Sequence, residues 1–295
     1  MPLMFPPHAN RTEGIQTPQL LAQKLNNRAA FLIESRSYGK SIAVLVRALK
    51  LAQRYHSDSV TEERNDFELY SLESSLGMAE DEYSSLMNKE KEDLDDDIRQ
   101  KSDCEQSPFR YEQCERGCCA GYIYQRPILI PSMYIKERRY IGLPLPLMIM
   151  FNLALAYQLR AISMTASHCE NDGSSLSFDR NTELEKALHL YQLAYQLHLN
   201  YLQQQPNSIV ETSLKDDSHR SMGSIRFTMV LSNNIGEIHR FVGDSAKHKM
   251  CLEHLLSTVM CAVNREEIDL DSSVMDGYYH NLSSIMSTNN CADAA

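Results

Sequence analysis

Three asparagines carry the side-chain chemistry that stands out in this sequence. Asn27, Asn152 and Asn234 each come directly before a helix-packing position in a stretch that reads as an antiparallel helix pair. A carboxamide both donates and accepts hydrogen bonds, so it matches the alternating N–H and C=O groups of an extended main chain. Their recurrence predicts a line of hydrogen-bonding groups along one surface. The alternative is that these side chains only cap turns or bond within their own helices.

Groups that would support catalysis or metal binding form no recognisable constellation. The sequence contains no Gly-rich phosphate loop, no GxSxG and no HExxH motif. One cluster has metal-ligand chemistry, but it lacks a CxxC pair, and two adjacent cysteines are poorly placed to face one tetrahedral zinc. We therefore predict no enzyme, no metal site and no cofactor. The cluster consists of Cys104, Cys114, Cys118 and Cys119.

The asparagines lie in stretches that share a weak repeat. These stretches start at Leu25, at Phe151 with a continuation from Leu184, and at Ser232. Their order of large and small residues resembles the 34-residue tetratricopeptide (TPR) unit, and the words LNNRA and NNIG resemble the repeats of kinesin light chains in particular. Small residues in the second unit would allow close helix packing. The departures from the TPR pattern are Arg28, His248 and the missing terminal proline of each repeat.

The resemblance implies an all-α, right-handed TPR-like solenoid of helical hairpins, with long inserted loops and a C-terminal capping helix. In TPR proteins the inner helices line a concave groove, and asparagines at this place in the repeat can clasp the main chain of an extended peptide. Lys and Arg are missing from most groove positions, so a clamp for an acidic C-terminus is not expected. The residues implied to bind peptide are Asn27, Asn152 and Asn234, with Gln23, Asn26, Gln158, Asn233, Glu237 and Arg240 nearby to tune selectivity.

The repeats are interrupted, which gives a segmented organisation. The predicted parts are a flexible N-terminus (1–16), repeat 1 (17–56), an acidic and partly disordered insertion (57–118), an extended segment (119–144), repeat 2 (145–203, with an internal loop at 165–181), a loop (204–223), repeat 3 (224–264) and the capping helix (272–288).

The long insertion has two contrasting halves. Residues 57–105 contain 17 acidic and 5 basic side chains, a composition typical of a solvated segment, although an acidic interaction tail is the alternative. Residues 119–135 are rich in Ile and Tyr and contain Pro127 and Pro131, so they predict an apolar extended segment that should be buried. It would be either a structural brace between repeats 1 and 2 or an autoinhibitory pseudo-ligand in the groove.

Composition places the chain among helical proteins of a reducing compartment. It has 295 residues, 43% of them apolar, with few Gly and Pro, and its eight cysteines show no disulfide framework. The net charge of −10 argues against nucleic-acid binding, and the longest apolar run, residues 141–156, is too short to span a membrane. We predict a non-enzymatic, intracellular scaffold, cytoplasmic or nuclear, that binds a protein or peptide partner. A structural self-association module, a homodimer, is the alternative.

Overall fold

A computed structural model of the chain describes residues 18–59, 121–136, 144–166, 175–204, 214–263 and 272–289. Within these ranges every regular element is a helix, so the predicted all-α class is confirmed. The helices are α1 (Pro18–Glu34), α2 (Tyr38–Ser59), the short α3 (Ser132–Lys136), α4 (Pro144–Ala166), α5 (Ser175–Gln204), α6 (Leu214–Phe241), α7 (Ser245–Val263) and α8 (Ser272–Asn289).

The long helices pack as hairpins: α1 with α2, α4 with α5, and α6 with α7. The first and third hairpins turn in the same way. The N–H of Ser37 bonds to the carbonyl of Leu32, and the N–H of Asp244 bonds to that of His239, which is the Schellman pattern at a helix C-terminus. This pattern needs a left-handed residue, which is Gly243 (φ 81°) in one turn and Arg36 (φ 60°) in the other.

A polar side chain closes each of these two hairpins at the same point. Ser41 Oγ donates to the carbonyl of Ala29 over 3.0 Å, and the Nδ1 atom of His248 lies 2.9 Å from the carbonyl of Gly236. Both side chains come 12 residues after the small residue whose carbonyl they meet. His248, which departs from the TPR pattern, therefore has a clear structural role.

Consecutive hairpins stack on one another. Helix α2 packs on α4, α5 on α6, and α8 on α7. The middle helix α4 is apolar on nearly all sides because it contacts α1, α2 and α5 together. Residues Leu145–Met164 of this helix are long and apolar enough to cross a membrane by length and composition, but 83% of that stretch is buried inside the protein. Packing between helices therefore accounts for its apolar character.

The structure differs from several predicted boundaries, because helices begin inside three stretches that were predicted to lack them. Helix α5 begins at Ser175, inside the predicted loop 165–181, and α6 begins at Leu214, inside the predicted loop 204–223. Neither added stretch contains a proline to stop the helix. The predicted extended segment contains α3, which starts directly after Pro131, and α2 runs to Ser59. Residues 1–17 and 60–120, with most of the acidic insertion, lie outside the described residues.

The contact between α4 and α5 gives a test of the packing. Ala154 is fully buried on α4, and Ala187 is fully buried on α5. We expect Ala154→Leu to lower the free energy of unfolding by about 1 to 3 kcal/mol, because three added heavy atoms must force the helices apart. Urea denaturation measures this change, with Gln192→Leu at an exposed position of α5 as the control. Equal stability of the two variants would contradict the proposed close contact.

Candidate functional site

Six asparagines on four helices line up as a polar row along one extended stretch of the chain. We call this row the asparagine ladder, and five of its members are buried, while Asn27 is half-buried. Its members are Asn26 and Asn27 on α1, Asn152 on α4, Asn233 and Asn234 on α6, and Asn281 on α8.

The ladder holds an extended stretch of the same chain, residues 121–131, which we call the resident segment. Asn27 Oδ1 accepts from the N–H of Ile130 over 2.8 Å, and its Nδ2 donates to the carbonyl of Ile130 over 2.7 Å. Asn152 makes the same pair of bonds to Ile128, at 2.7 and 2.9 Å. Each carboxamide thus satisfies both polar main-chain groups of one residue.

Two further asparagines repeat this arrangement at the other end of the resident segment. Asn234 Oδ1 accepts from the N–H of Tyr124 over 2.9 Å, and its Nδ2 donates to the Tyr124 carbonyl over 3.0 Å. Asn281 binds Tyr122 in the same way, at 2.7 and 2.8 Å. The main-chain groups of four residues are therefore clasped in order from α8 to α1, opposite to the order of the helices in the chain.

Asn26 and Asn233 each donate a second hydrogen bond to a carbonyl that another asparagine already binds, and each also accepts a bond from the asparagine of a neighbouring ladder helix. Asn26 Nδ2 lies 3.0 Å from the carbonyl of Ile128, and Asn233 Nδ2 lies 3.0 Å from that of Tyr122. These two carbonyls each receive two amide donors, which uses both of their lone pairs. The carboxamide oxygens of Asn26 and Asn233 accept in turn from Asn152 and Asn281, at 3.0 and 2.8 Å.

The spacing of the clasped residues follows from the geometry of strands and helices. Residues 122, 124, 128 and 130 are all even-numbered because alternate residues of an extended chain present their main-chain groups to the same side. Eight residues of extended chain span about 26 Å. The four clasping helices divide that span unequally, into steps of two, four and two residues. Pro127, which has no N–H, lies within the four-residue step.

Side chains of the resident segment pack into the helices beside the ladder. The rings of Tyr122 and Tyr278 meet edge to face, with centroids 5.6 Å apart, and Tyr122 also lies against Gly277 so closely that a Cβ there would overlap its ring. Tyr124 lies beside Phe151 of α4, with centroids 6.4 Å apart. Ile130 is fully buried. The clasped residues therefore combine main-chain bonds with apolar burial.

A second row of polar groups supports the ladder from behind. Tyr191 of α5 is fully buried, its hydroxyl donates to Gln158 Oε1 over 3.0 Å, and it accepts from Asn234 Nδ2 over 3.1 Å. Gln158 Nε2 lies 3.4 Å from the main-chain carbonyl of Asn234. Burial raises the pKa of the Tyr191 hydroxyl, while the bond from Asn234 lowers it. This network fixes the orientation of the Asn234 carboxamide.

The remaining sequence-predicted site residues occupy different places. Gln158 supports the ladder through Asn234 and Tyr191, and Gln23 is buried on α1, one turn before Asn27. Glu237 is buried against Gly121, where a side chain would overlap its carboxylate. Its carboxylate pairs with Arg240 at 2.9 Å; burial raises the pKa of Glu237, and the guanidinium opposes that shift.

Sequence reasoning missed Asn281, because it treated the last helix only as a cap. A signal was present: in each ladder helix the clasping asparagine is followed two residues later by a small residue. The four words are Asn27-Arg28-Ala29, Asn152-Leu153-Ala154, Asn234-Ile235-Gly236 and Asn281-Leu282-Ser283.

Within the described ranges, no group of three His, Cys, Asp or Glu side chains is arranged to hold a metal ion. The cysteine cluster considered from the sequence lies outside those ranges. Cys251 and Cys261 are free thiols of α7, and burial raises the pKa of Cys251 to about 11, which disfavours its reactive thiolate.

Comparison with known proteins gives no relative for this chain. No family model matches it, and neither the curated proteins nor the solved structures contain a significant match. The resemblance to TPR proteins therefore stays a prediction, and any function has to be argued from the ladder itself.

The support behind the ladder can be tested with Tyr191→Phe. We expect a loss of about 1 to 3 kcal/mol in the free energy of unfolding, because Gln158 and Asn234 each lose a buried partner. The folded-state pKa of Tyr191 is raised. Its contribution to the free energy of unfolding is therefore fully present below about pH 10 and falls as pH rises further. The gap between the two proteins should therefore narrow in alkaline urea titrations. Tyr195→Phe, which removes only an exposed bond to His254, is the control.

Proposed function

We propose that this chain is a non-enzymatic protein-interaction scaffold that binds an extended peptide along the asparagine ladder. The observation that carries the proposal is the set of two-way bonds between Asn27, Asn152, Asn234 and Asn281 and the main chain of the resident segment. Such bonds recognise an extended backbone whatever its sequence, and neighbouring side-chain contacts then add selectivity.

The proposed architecture is a right-handed TPR-like solenoid. Equivalent turns at Arg36 and Gly243, and equivalent closing bonds from Ser41 and His248, support a repeated hairpin unit. In this arrangement α1, α4, α6 and α8 are the inner helices of a concave groove, because all six ladder residues lie on them. Helices α2, α5 and α7 form the outer layer.

The resident segment is then either a brace or a displaceable pseudo-ligand. One side of the segment is open to solvent, since Gln125, Arg126, Leu129 and Pro131 are exposed while the clasped residues lie against the ladder. A tethered segment competes at an effective concentration of about millimolar, so an external partner has to bind more tightly than the segment or act after it is released. We therefore place the protein in a resting state in which the ladder is occupied.

A labelled peptide with the sequence GYIYQRPILIP, that of residues 121–131, tests the proposal. The receptor is the full chain carrying Tyr124→Pro and Ile128→Pro, which remove two clasped N–H groups and free the ladder. We expect saturable binding by fluorescence anisotropy, and much weaker binding when Asn27→Ala, Asn152→Ala and Asn234→Ala are added. The matched control adds Asn181→Ala, at an exposed position of α5.

If the proline variant loses its helical circular dichroism, the segment is a brace. Tyr122→Pro, which releases only the end of the segment at α8 and leaves the ladder unchanged, then serves as the receptor. If neither folded receptor binds the peptide, the ladder has no role in recognising other chains.

Self-association is the second candidate, and one observation favours it. The resident segment is separated from α2 by residues 60–120, so its bonds to the ladder can in principle form within one chain or between two copies. Sedimentation velocity over a range of protein concentrations distinguishes these arrangements. A dimer that dissociates when Tyr124→Pro and Ile128→Pro are introduced would favour exchange of the segment between copies.

A further inference from the structure

The ladder is built from two equivalent units of three asparagines. In the first, Asn27 clasps Ile130, Asn152 clasps Ile128, and Asn26 bridges them. In the second, Asn234 clasps Tyr124, Asn281 clasps Tyr122, and Asn233 bridges them.

The bonds of the two units correspond one to one. In each, the bridging asparagine donates to the carbonyl of the first clasped residue and to the Oδ1 atom of its chain neighbour, and it accepts from the asparagine of the next inner helix. The donations to the neighbour are 3.4 Å from Asn26 to Asn27 and 3.1 Å from Asn233 to Asn234. We call the two units clamp 1 (Asn26, Asn27, Asn152) and clamp 2 (Asn233, Asn234, Asn281).

Each clamp binds the main chain of two residues that are two positions apart in the sequence. The stretch between the two pairs is not clasped. Residues 125–127 cross from clamp 2 to clamp 1, and they include Pro127. A clasped residue must supply an N–H, so proline is excluded there, whereas both prolines of the resident segment lie at unclasped positions. The ladder therefore requires a bound segment to be extended and also to supply an N–H at four defined positions.

We infer that the external partner is an extended peptide that carries two clasped pairs, at positions n and n+2 and at n+6 and n+8, with no proline at any of the four. Its N-terminal end lies at α8 and its C-terminal end at α1. The inference rests on the proposed peptide-binding function and deepens it, because it states which backbone amides the partner must offer.

Side-chain contacts narrow the chemistry of this partner further. At clamp 2, Tyr278 and the open space above Gly277 receive a flat ring, and Phe151 lies beside the second clasped residue. At clamp 1 the clasped residues are Ile128 and Ile130, the latter fully buried. The partner accordingly carries aromatic residues in its first clasped pair and branched aliphatic residues in its second.

Backbone N-methylation of the labelled GYIYQRPILIP peptide tests the inference. An N-methyl group at Tyr122, Tyr124, Ile128 or Ile130 removes one clasped N–H, while methylation at Gln125 or Leu129 alters an amide in the same peptide that the ladder does not clasp. The receptors are the full chain with Tyr124→Pro and Ile128→Pro and, independently, the full chain with Tyr122→Pro, which alters the resident segment alone and leaves both clamps intact.

We expect each of the four clasped-position methylations to weaken binding by about tenfold or more, since the carboxamide oxygen loses its main-chain donor and meets a methyl group in its place. Methylation at Gln125 or Leu129 should change the affinity by about twofold or less. If all six methylated peptides bind alike, the two-clamp pattern is overturned while peptide binding itself stands. If the unmodified peptide binds neither receptor, the proposed function fails, and the inference fails with it.

Discussion

Replacing Asn152 with aspartate is expected to lower the free energy of unfolding by about 3 to 5 kcal/mol at neutral pH, the usual cost of an uncompensated buried charge. Asn152 is fully buried, and its Nδ2 donates to the carbonyl of Ile128 and to Asn26 Oδ1. In Asn152→Asp an oxygen replaces the amide nitrogen that makes both donations, and this oxygen faces the two acceptor oxygens. The side chain keeps its size, so lost packing cannot explain the effect.

The pH dependence of Asn152→Asp identifies the cause. Burial raises the folded-state pKa of the new carboxyl group above its unfolded value of about 3.9. The penalty therefore grows as pH rises above about 4 and levels off beyond the folded-state pKa. Urea denaturation at pH 4.5 and pH 7 should show a smaller loss at the lower pH, where a protonated carboxyl can donate to Ile128. A loss as small as that of Asn181→Asp, on the exposed face of α5, would mean that the ladder bonds contribute little.

Removing two clasped N–H groups is expected to release the resident segment while the helices stay folded. Tyr124→Pro and Ile128→Pro each abolish a bond to a carboxamide oxygen, at 2.9 and 2.7 Å. Each loss costs about 1 to 3 kcal/mol, so the free energy of opening falls by about 2 kcal/mol or more, a factor of about 30. Hydrogen exchange at the amides of Tyr122 and Ile130, which remain in the variant, should accelerate by at least this factor.

Two matched variants separate main-chain from side-chain effects in this experiment. Gln125→Pro with Leu129→Pro introduces the same number of prolines at unclasped residues and should leave exchange at Tyr122 and Ile130 nearly unchanged. Tyr124→Ala with Ile128→Ala keeps both N–H groups and removes only the side chains. If the clasped and unclasped proline pairs accelerate exchange equally, proline strain rather than lost hydrogen bonding explains the release.

Local sequence signals predicted the helices well and their ends less well. The hairpin α6–α7 was predictable because Gly243 and Asp244 form a helix stop followed by an N-cap, in which Asp244 Oδ1 accepts from the N–H of Lys247. The N-terminal parts of α5 and α6 were predicted as loops because they fall outside the repeated helix-pair pattern. Lying outside a repeat does not stop a helix that contains no proline and in which every N–H can find its partner.

The local sequence pattern identified most of the ladder asparagines but not all of them. The sequence identified Asn27, Asn152 and Asn234 as one group because they recur at a fixed place in the helix pairs, and it gave Asn26 and Asn233 as their neighbours. Asn281 begins the same three-residue pattern, in which a small residue follows two positions after the asparagine. It lies, however, in a helix with no partner helix following it among the described residues. A pattern based on helix pairs therefore missed it, although its bonds to Tyr122 equal those of the others in length.

The sequence by itself determined the all-helical class, the hairpins and the presence of carboxamides on α1, α4 and α6, because helix periodicity, turn residues and side-chain chemistry are local properties. It also indicated that residues 119–135 are too apolar to remain in water. Only the tertiary structure decided that these two features meet. The ladder exists because four helices far apart in the chain bring their asparagines to spacings that an extended backbone can match in even steps, and that match depends on interhelical distances that no single stretch of sequence contains.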